Sequence, residues 1–477
     1  MMIRALIAAV MILATIGCSP PRVRVTAHSD WDPFRVADLP ATAGPSGVRP
    51  DAPAQFGQIE YSDGGDLDDL ALLAVNDLSE YWAHHYTPVL PGVFTPVAQL
   101  YSYDASDPDS PLICGNRTYQ WVNAFYCTSQ QIMAWDRGTL LPAARKFFGA
   151  ASVAALIAHE YGHAIQRMAY LVDDETPTLV AEQQADCFAG AYVHWVAQGN
   201  SVRFELNTSD GLDHLLAGLI VLRDPIPGID DESATTKEHG TALDRISAFQ
   251  LGFTQGPSAC ASINSTEVDN RRVKLTATPQ SERADEATGD VAITEAVLST
   301  LAAQLRQIIP TSNPPTLEFG EANCLPSTNV VLVSYCPTDN TLRVDLPGLQ
   351  TLGTPASEAN SVLVQGDNTA ISLVISRYVL AQQKQMGRRL DTPATALRSA
   401  CLTGVAESAL TTVGESPGAG LHLTHGDVDE AVSGLLTNGL VASNIAGATV
   451  PAGFTRIAAF RLGFASAQES CYSTFQD

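Results

Sequence analysis

Positive charge is scarce in this chain. Lysine and arginine together number 27 among 477 residues, against 51 aspartates and glutamates, which leaves a formal net charge of −24. Nucleic acid and anionic lipid surfaces repel such a balance, so it argues against both as partners and for a soluble, acidic surface. Long hydrophobic runs are lacking too. The apolar stretch Ala5–Gly17 is too short for a membrane-spanning helix. What remains is ordinary globular material: hydrophobic residues make up 45% of the chain, enough for packed cores. A length of 477 residues exceeds one ordinary domain and predicts two or three.

The start of the chain reads as a targeting segment. Arg4 precedes the run Ala5–Gly17, which suits the core of a signal peptide, and Cys18 follows directly. Thr15-Ile16-Gly17-Cys18 resembles a bacterial lipobox, with Thr where Leu is commonest. That resemblance implies removal of residues 1–17, lipid on Cys18 and anchoring to the outer face of a membrane in the cell envelope. The alternative is ordinary secretion after cleavage near Ala27. Either route places the domains outside the cytoplasm, where disulfides form. Residues 18–56 are rich in Pro, Ala and Asp and read as a flexible tether.

The remaining cysteines give the organisation. Cys114, Cys127, Cys187 and Cys260 are spaced by 13, 60 and 73 residues; Cys324, Cys336, Cys401 and Cys471 are spaced by 12, 65 and 70. Neighbouring text repeats as well. Phe125-Tyr126-Cys127 recurs as Ser334-Tyr335-Cys336, and Ala248-Phe249-Gln250-Leu251-Gly252-Phe253 as Ala459-Phe460-Arg461-Leu462-Gly463-Phe464. Two tandem copies of one domain account for this, the first over 57–264 and the second over 288–477, joined by a polar linker at 265–287. Four cysteines allow three pairings. The pattern favours Cys114–Cys127 and Cys187–Cys260 in the first copy, and Cys324–Cys336 and Cys401–Cys471 in the second. Cys187 has a rival role as a metal ligand.

Periodicity predicts a helix over about 67–84, short strands over 94–133, and then helices over about 149–170, 178–198, 209–222 and 241–252. Strands first and helices later make an α+β layout. Within the Ala-rich stretch near 149–170 lies His159-Glu160-Tyr161-Gly162-His163. Two histidines four apart share one face of a helix and can hold one zinc ion, with Glu160 placed to act on its water as general base. A third protein ligand is required, and Glu182 in the next helical stretch supplies it. Asp186, one turn further on, can accept a hydrogen bond from a ligating imidazole and fix its tautomer. Burying such groups in an apolar helix is costly unless they are paired or bind metal. Gly162 weakens the helix by about 1 kcal/mol relative to Ala, which points to close packing there. His84, His85, His194 and His214 fall outside any ligand pattern and read as surface or packing residues.

Ala158-His159-Glu160-Tyr161-Gly162-His163, then Glu182-Gln183-Gln184-Ala185-Asp186-Cys187-Phe188-Ala189-Gly190, then His239-Gly240-Thr241 with Arg245, Phe249 and Gly252-Phe253, resemble the bacterial neutral zinc metallopeptidase family. Asp136, nine residues after Cys127, fits the family's strand before the active helix, while Thr128 departs from its usual Pro. The resemblance covers roughly 65–260. It implies a zincin-like fold of the gluzincin type, Zn²⁺ as cofactor on His159, His163 and Glu182, Glu160 as base, Asp186 behind a ligand, and a peptide or protein substrate. It also suggests His239 as a hydrogen-bond donor to the oxyanion of the reaction; the plainer reading of His239 is a loop histidine capping the next helix.

The second copy is an internal control. Aligned on Tyr161/Tyr378 and Cys187/Cys401, Ser376 stands at His159, Arg377 at Glu160, Leu380 at His163, Ala396 at Glu182, Ala400 at Asp186 and Val450 at His239. The chemistry is gone while Tyr378, Cys401, Arg456, Phe460 and Gly463 keep the scaffold. The expectation is an exported zinc metallopeptidase with one active and one degenerate copy in contact. The rivals are a non-catalytic envelope-binding lipoprotein and a zinc amidase acting on cell-wall peptides.

Overall fold

The structure is a computed structural model, which describes residues 31–87, 89–221, 240–271, 291–324, 331–354, 363, 365–412 and 420–477. Cys18 and His239 lie outside the described residues.

The chain is α+β, and its two halves run through the same sequence of elements. The first half opens with helix α1 (Asp66–His85), whose three aspartates in the first turn suit the positive end of a helix. Strands β1 (Gln99–Tyr103), β2 (Ala124–Cys127) and β3 (Ile132–Asp136) form a sheet in the order β1-β3-β2. β1 runs parallel to β3 and β2 antiparallel to it. Helices α2 (Leu140–Phe148), α3 (Ala150–Met168), α4 (Thr178–Ala197), α5 (Asp210–Val221), α6 (Ala242–Gln255) and α7 (Pro257–Cys260) follow. α2 and α3 are parted by Gly149 at φ 86°, a left-handed conformation that ends the first helix cheaply only for glycine.

The expected linker at 265–287 begins as structure, because Ser265–Arg271 is a helix, α8. Arg271 binds Gln183 and Glu267, which ties this helix to α4. The second half starts with α9 (Glu295–Ile308) and a sheet of β4 (Thr316–Phe319), β5 (Val333–Cys336) and β6 (Thr341–Val344) in the order β4-β6-β5. Its parallel and antiparallel pairings fall as in the first half. α10 (Leu346–Leu352), α11 (Asp367–Gln385), α12 (Pro393–Thr412), α13 (His425–Thr437), α14 (Gly453–Phe464) and α15 (Gln468–Thr474) complete it.

In each half a long central helix, α3 or α11, is buried almost throughout. The helix pair behind it meets through glycines. A side chain on Gly252 would strike the Cys187 carbonyl, and one on Gly190 the Phe249 carbonyl; Gly463 and Cys401, and Gly404 and Phe460, repeat the arrangement. All four expected disulfides are bonded, so Cys187 is committed to Cys260 and is no metal ligand. Bonds closing loops of these lengths stabilise by about 2–4 kcal/mol each.

The segment 31–56 corrects the tether reading. Gly47-Val48 pairs with Phe204-Glu205, Arg49 Nε donates to the carbonyls of Ser201 and Phe204, and Asn207 Nδ2 donates to the Gly44 carbonyl. The same segment reaches the second half, where Thr455 Oγ1 donates to the Arg35 carbonyl and Trp31 packs edge-on against Phe475. Its composition is that of a linker, but side chains of the body capture its backbone polar groups and lay it across both halves.

Candidate metal centre

α3 carries His159, Glu160 and His163 along the floor of a cleft of about 480 Å³. Strand β2 forms one wall through Asn123–Tyr126, and Glu182 from α4 and Arg167, Asp173 and Thr176 border the rest. Among the described residues β2 is the edge of its sheet, and Asn123–Tyr126 border this cleft. The helix forms because its opening residues, Ala150-Ala151-Ser152-Val153-Ala154-Ala155, are mostly strong helix formers. Gly162 brings α4 close: a Cβ there would stand 2.9 Å from the Cα of Ala185. That approach puts Glu182, three residues before Ala185, against the histidine pair.

His159 Nε2 lies 3.2 Å from Glu182 Oε2, and His163 Nε2 lies 3.6 Å from Glu182 Oε1. Ligand atoms of His159, His163 and Glu182 all lie within 4.8 Å of one another, a spacing that one metal ion can bridge. The other ring nitrogens are held from behind. His159 Nδ1 donates to Asp186 Oδ1 at 2.8 Å, and His163 Nδ1 to Gln166 Oε1 at 3.0 Å. Gln166 is oriented in turn, because its Nε2 donates to the Ala181 carbonyl. With both Nδ1 positions facing acceptors, both Nε2 atoms are the ones presented to a ligand.

Asp186 is fully buried, and Arg245 of α6 clamps it. Nε donates to Oδ2 at 2.9 Å and Nη2 to Oδ1 at 2.6 Å, a bidentate pair. Burial pushes the Asp186 carboxyl up, but Arg245 and His159 outweigh that and hold it below its ordinary value. Burial alone would push the His159 imidazole down; Asp186 and then Glu182 reverse this and raise it to about 10. Without metal, His159 Nε2 faces Glu182 Oε2 at 3.2 Å, and a metal ion taking those two atoms would require the imidazole neutral.

No family model, curated protein or solved structure matches the chain.

The structure brings together His159, Glu160, His163, Glu182 and Asp186 as the sequence predicts. Glu160 is buried and borders the cleft beside the two histidines. The spare histidines stand elsewhere: His84 and His214 are exposed, His85 stacks on Tyr81, and His194 pairs with Asp38 at 2.7 Å. Asp136 does structural work, its carboxylate accepting the amides of Ala105, Gly138, Thr139 and Leu140 at the turn into α2. Two members of the site were not read from sequence. Gln166 lies three residues past His163, one helical turn along the same face, which is the signal that could have found it. Arg245 was singled out only by resemblance, because its reach to Asp186 depends on how α6 packs on α4.

A second group brings carboxylate oxygens within 4.8 Å: Asp367, Asp427 and Glu430. These acids accept backbone amides: Asp367 that of Val291, and Asp427 and Glu430 those of Thr424 and Asn368 at helix starts. None of them borders the cleft.

Proposed function

We propose that the first half is a zinc-dependent metallopeptidase domain of zincin-like type, and that the second half is a tandem copy of it without the site. One observation carries the reading. Two imidazole Nε2 atoms and one carboxylate converge within 4.8 Å on the floor of an open cleft, with both Nδ1 atoms held by acceptors. Two nitrogens and one oxygen from protein, with room for a fourth ligand, suit catalytic zinc. Zinc held there supplies a Lewis acid that polarises a substrate carbonyl and acidifies a water. Glu160, next along the helix from His159, takes a proton from the attacking water and returns it to the leaving amine. Asp186 and Arg245 keep the His159 ring fixed while charge moves. An extended peptide laid beside the β2 edge would be positioned by pairing with that strand.

The same reading takes the chain as exported and lipid-anchored through Cys18. The four disulfides support an oxidising compartment. Among the described residues no helix is long and apolar enough to cross a membrane. The test is cleavage of a peptide library by the full chain and by Glu160→Gln. The parent is expected to cleave in a zinc-dependent way, and the variant to bind zinc and lose at least about 100-fold in rate. Full activity in the variant removes Glu160 from its role. Stoichiometric zinc without cleavage of any peptide turns the reading towards a binding protein.

A further inference from the structure

The halves meet through a two-way exchange. In the first half Asp213, near the start of α5, accepts the amide of Gly453 at 2.7 Å, and Gly453 is the first residue of α14. In the second half Asp429, near the start of α13, accepts the amide of Ala242 at 3.0 Å, and Ala242 is the first residue of α6. α5 and α13, and α6 and α14, hold the same places in their halves. Each half thus gives an aspartate to the other's helix start, the pattern of a two-fold dimer interface.

The two arms lead to different places. Arg456, which holds the place of Arg245, turns to Asp213 at 2.6 Å, since Ala400 stands where Asp186 would be. Arg245 stays on Asp186. We infer that Asp429 is a positioning residue for the metal centre, supplied by the second half: it fixes the first turn of α6 and, through Arg245 and Asp186, the His159 ring. The first amides of a helix have no partner within it, and an acid there also meets the helix's positive end. Thr241 and Asp244 cap each other's amides at this start, and Asp429 takes the Ala242 amide between them. Arg245 follows three residues later, so one turn of helix separates the brace from the clamp on Asp186. The second half is then part of the site's support, which gives a copy without ligands a reason to remain docked.

The link to metal rests on the zinc reading; the brace itself does not, and the test separates them. Full-length Asp429→Ala, Asp429→Asn and Gln250→Leu are compared with the parent. Gln250 donates to the Phe454 carbonyl at 2.8 Å, in the same helix and the same interface but two turns past Ala242. Two readouts are taken: hydrogen exchange of the Arg245 Nε–H in metal-free protein, followed by NMR, and zinc affinity by chelator competition. Asp429→Ala is expected to speed the exchange and to weaken zinc by on the order of 10-fold. Asp429→Asn, which keeps an accepting oxygen, is expected to restore most of both, and Gln250→Leu to lower the melting temperature while moving neither. If Asp429→Ala does not fold, Asp429→Ser, too short to reach the amide, carries the same expectation. Parental Arg245 exchange and parental zinc affinity in a destabilised Asp429 variant overturn the proposal. A parent that binds no zinc overturns the zinc reading alone, and the Arg245 exchange still decides the brace.

Discussion

Where the first half carries Glu160 on the floor of a cleft, the second carries Arg377, whose side chain reaches across the same place. Arg377 Nε donates to the Val333 carbonyl at 3.2 Å, and Nη2 donates to Ser443 Oγ at 2.8 Å and to the Leu440 carbonyl at 3.3 Å. Val333 is the first residue of β5, the counterpart of the strand that walls the first cleft. The side chain thus bridges the central helix and the edge strand. Burial pushes the Arg377 guanidinium down to about 10, so the charge is held there at a cost that its hydrogen bonds offset. The neighbours changed along with it: Ser376, Leu380, Ala396 and Ala400 are fully buried, and none of them offers the imidazole or carboxylate found at the same place in the first half. The comparison teaches which contacts belong to the scaffold and which to the chemistry. Disulfides, sheet order and helix-pair glycines are held in common; the polar set around His159 is present once.

The largest effect is expected where the difference is sharpest. Asp186→Ala makes the first half like the second at Ala400 but leaves Arg245 buried without its bidentate partner. A loss of about 3–5 kcal/mol is expected in chemical denaturation, together with zinc affinity weakened by about 10- to 100-fold in chelator competition. An effect below 1 kcal/mol would mean that Arg245 finds another acid as Arg456 has done, and that the clamp is a packing feature.

Next is Gly162→Val, which installs the residue found at Val379. The added atoms meet Ala185, so α4 must move away from α3, and Glu182 with it. Overpacking of this kind costs about 1–3 kcal/mol, and zinc affinity is expected to fall more than stability explains. Unchanged affinity breaks the argument that Gly162 sets the distance between Glu182 and the histidines.

The interface supplies a pH test. Burial raises the Asp213 carboxyl from 3.8 to about 6, against the pull of Arg456 and the Gly453 amide. Burial also pushes the Arg456 guanidinium down. Both partners are driven towards neutrality, so their 2.6 Å contact is worth less than its length suggests. A folded value above the unfolded one makes the ionised acid the costly form. The stability it contributes is fully present below about pH 4 and is lost as the pH rises through 6. Relative to Asp213→Asn, which does not titrate, the parent should gain about 2 kcal/mol between pH 7 and pH 4 in urea midpoints. A parallel pH dependence in the two proteins contradicts this. The smallest effect on the metal is expected for Val379→Gly: zinc binding unchanged, while loss of a fully buried side chain lowers stability by about 2–4 kcal/mol.

Much of this was legible in the chain. Long apolar periodic stretches gave α1, α3, α4, α5 and α6 to within a few residues, since one buried face over several turns leaves a strong period, while the short α2 was not read. The matching cysteine spacings gave all four disulfides. The histidine pair, Glu160, Glu182 and Asp186 were legible because their spacing within one helix, or between consecutive ones, fixes their faces. Strand pairing was not: β1 pairs directly with β3 and skips β2, which lies between them in sequence, a non-local choice that composition does not record. The clamp of Arg245 on Asp186 depends on the tertiary approach of α6 to α4 through Gly190 and Gly252, whereas Gln166 stood at helical spacing from His163 and was legible. Residues 31–56 misled because linker composition says nothing of Asn207 and Thr455, which hold that backbone, or of the Ser201 and Phe204 carbonyls that take the Arg49 side chain.

The central claim is a metal centre confined to the first half. Zinc per chain, measured by atomic absorption on the full protein, on His163→Ala and on Arg377→Glu, tests it most directly. The account predicts one zinc in the parent, none retained after dialysis in His163→Ala, and one in Arg377→Glu, because restoring the acid alone does not rebuild a site without its histidines. No zinc in the parent, or undiminished zinc in His163→Ala, contradicts it.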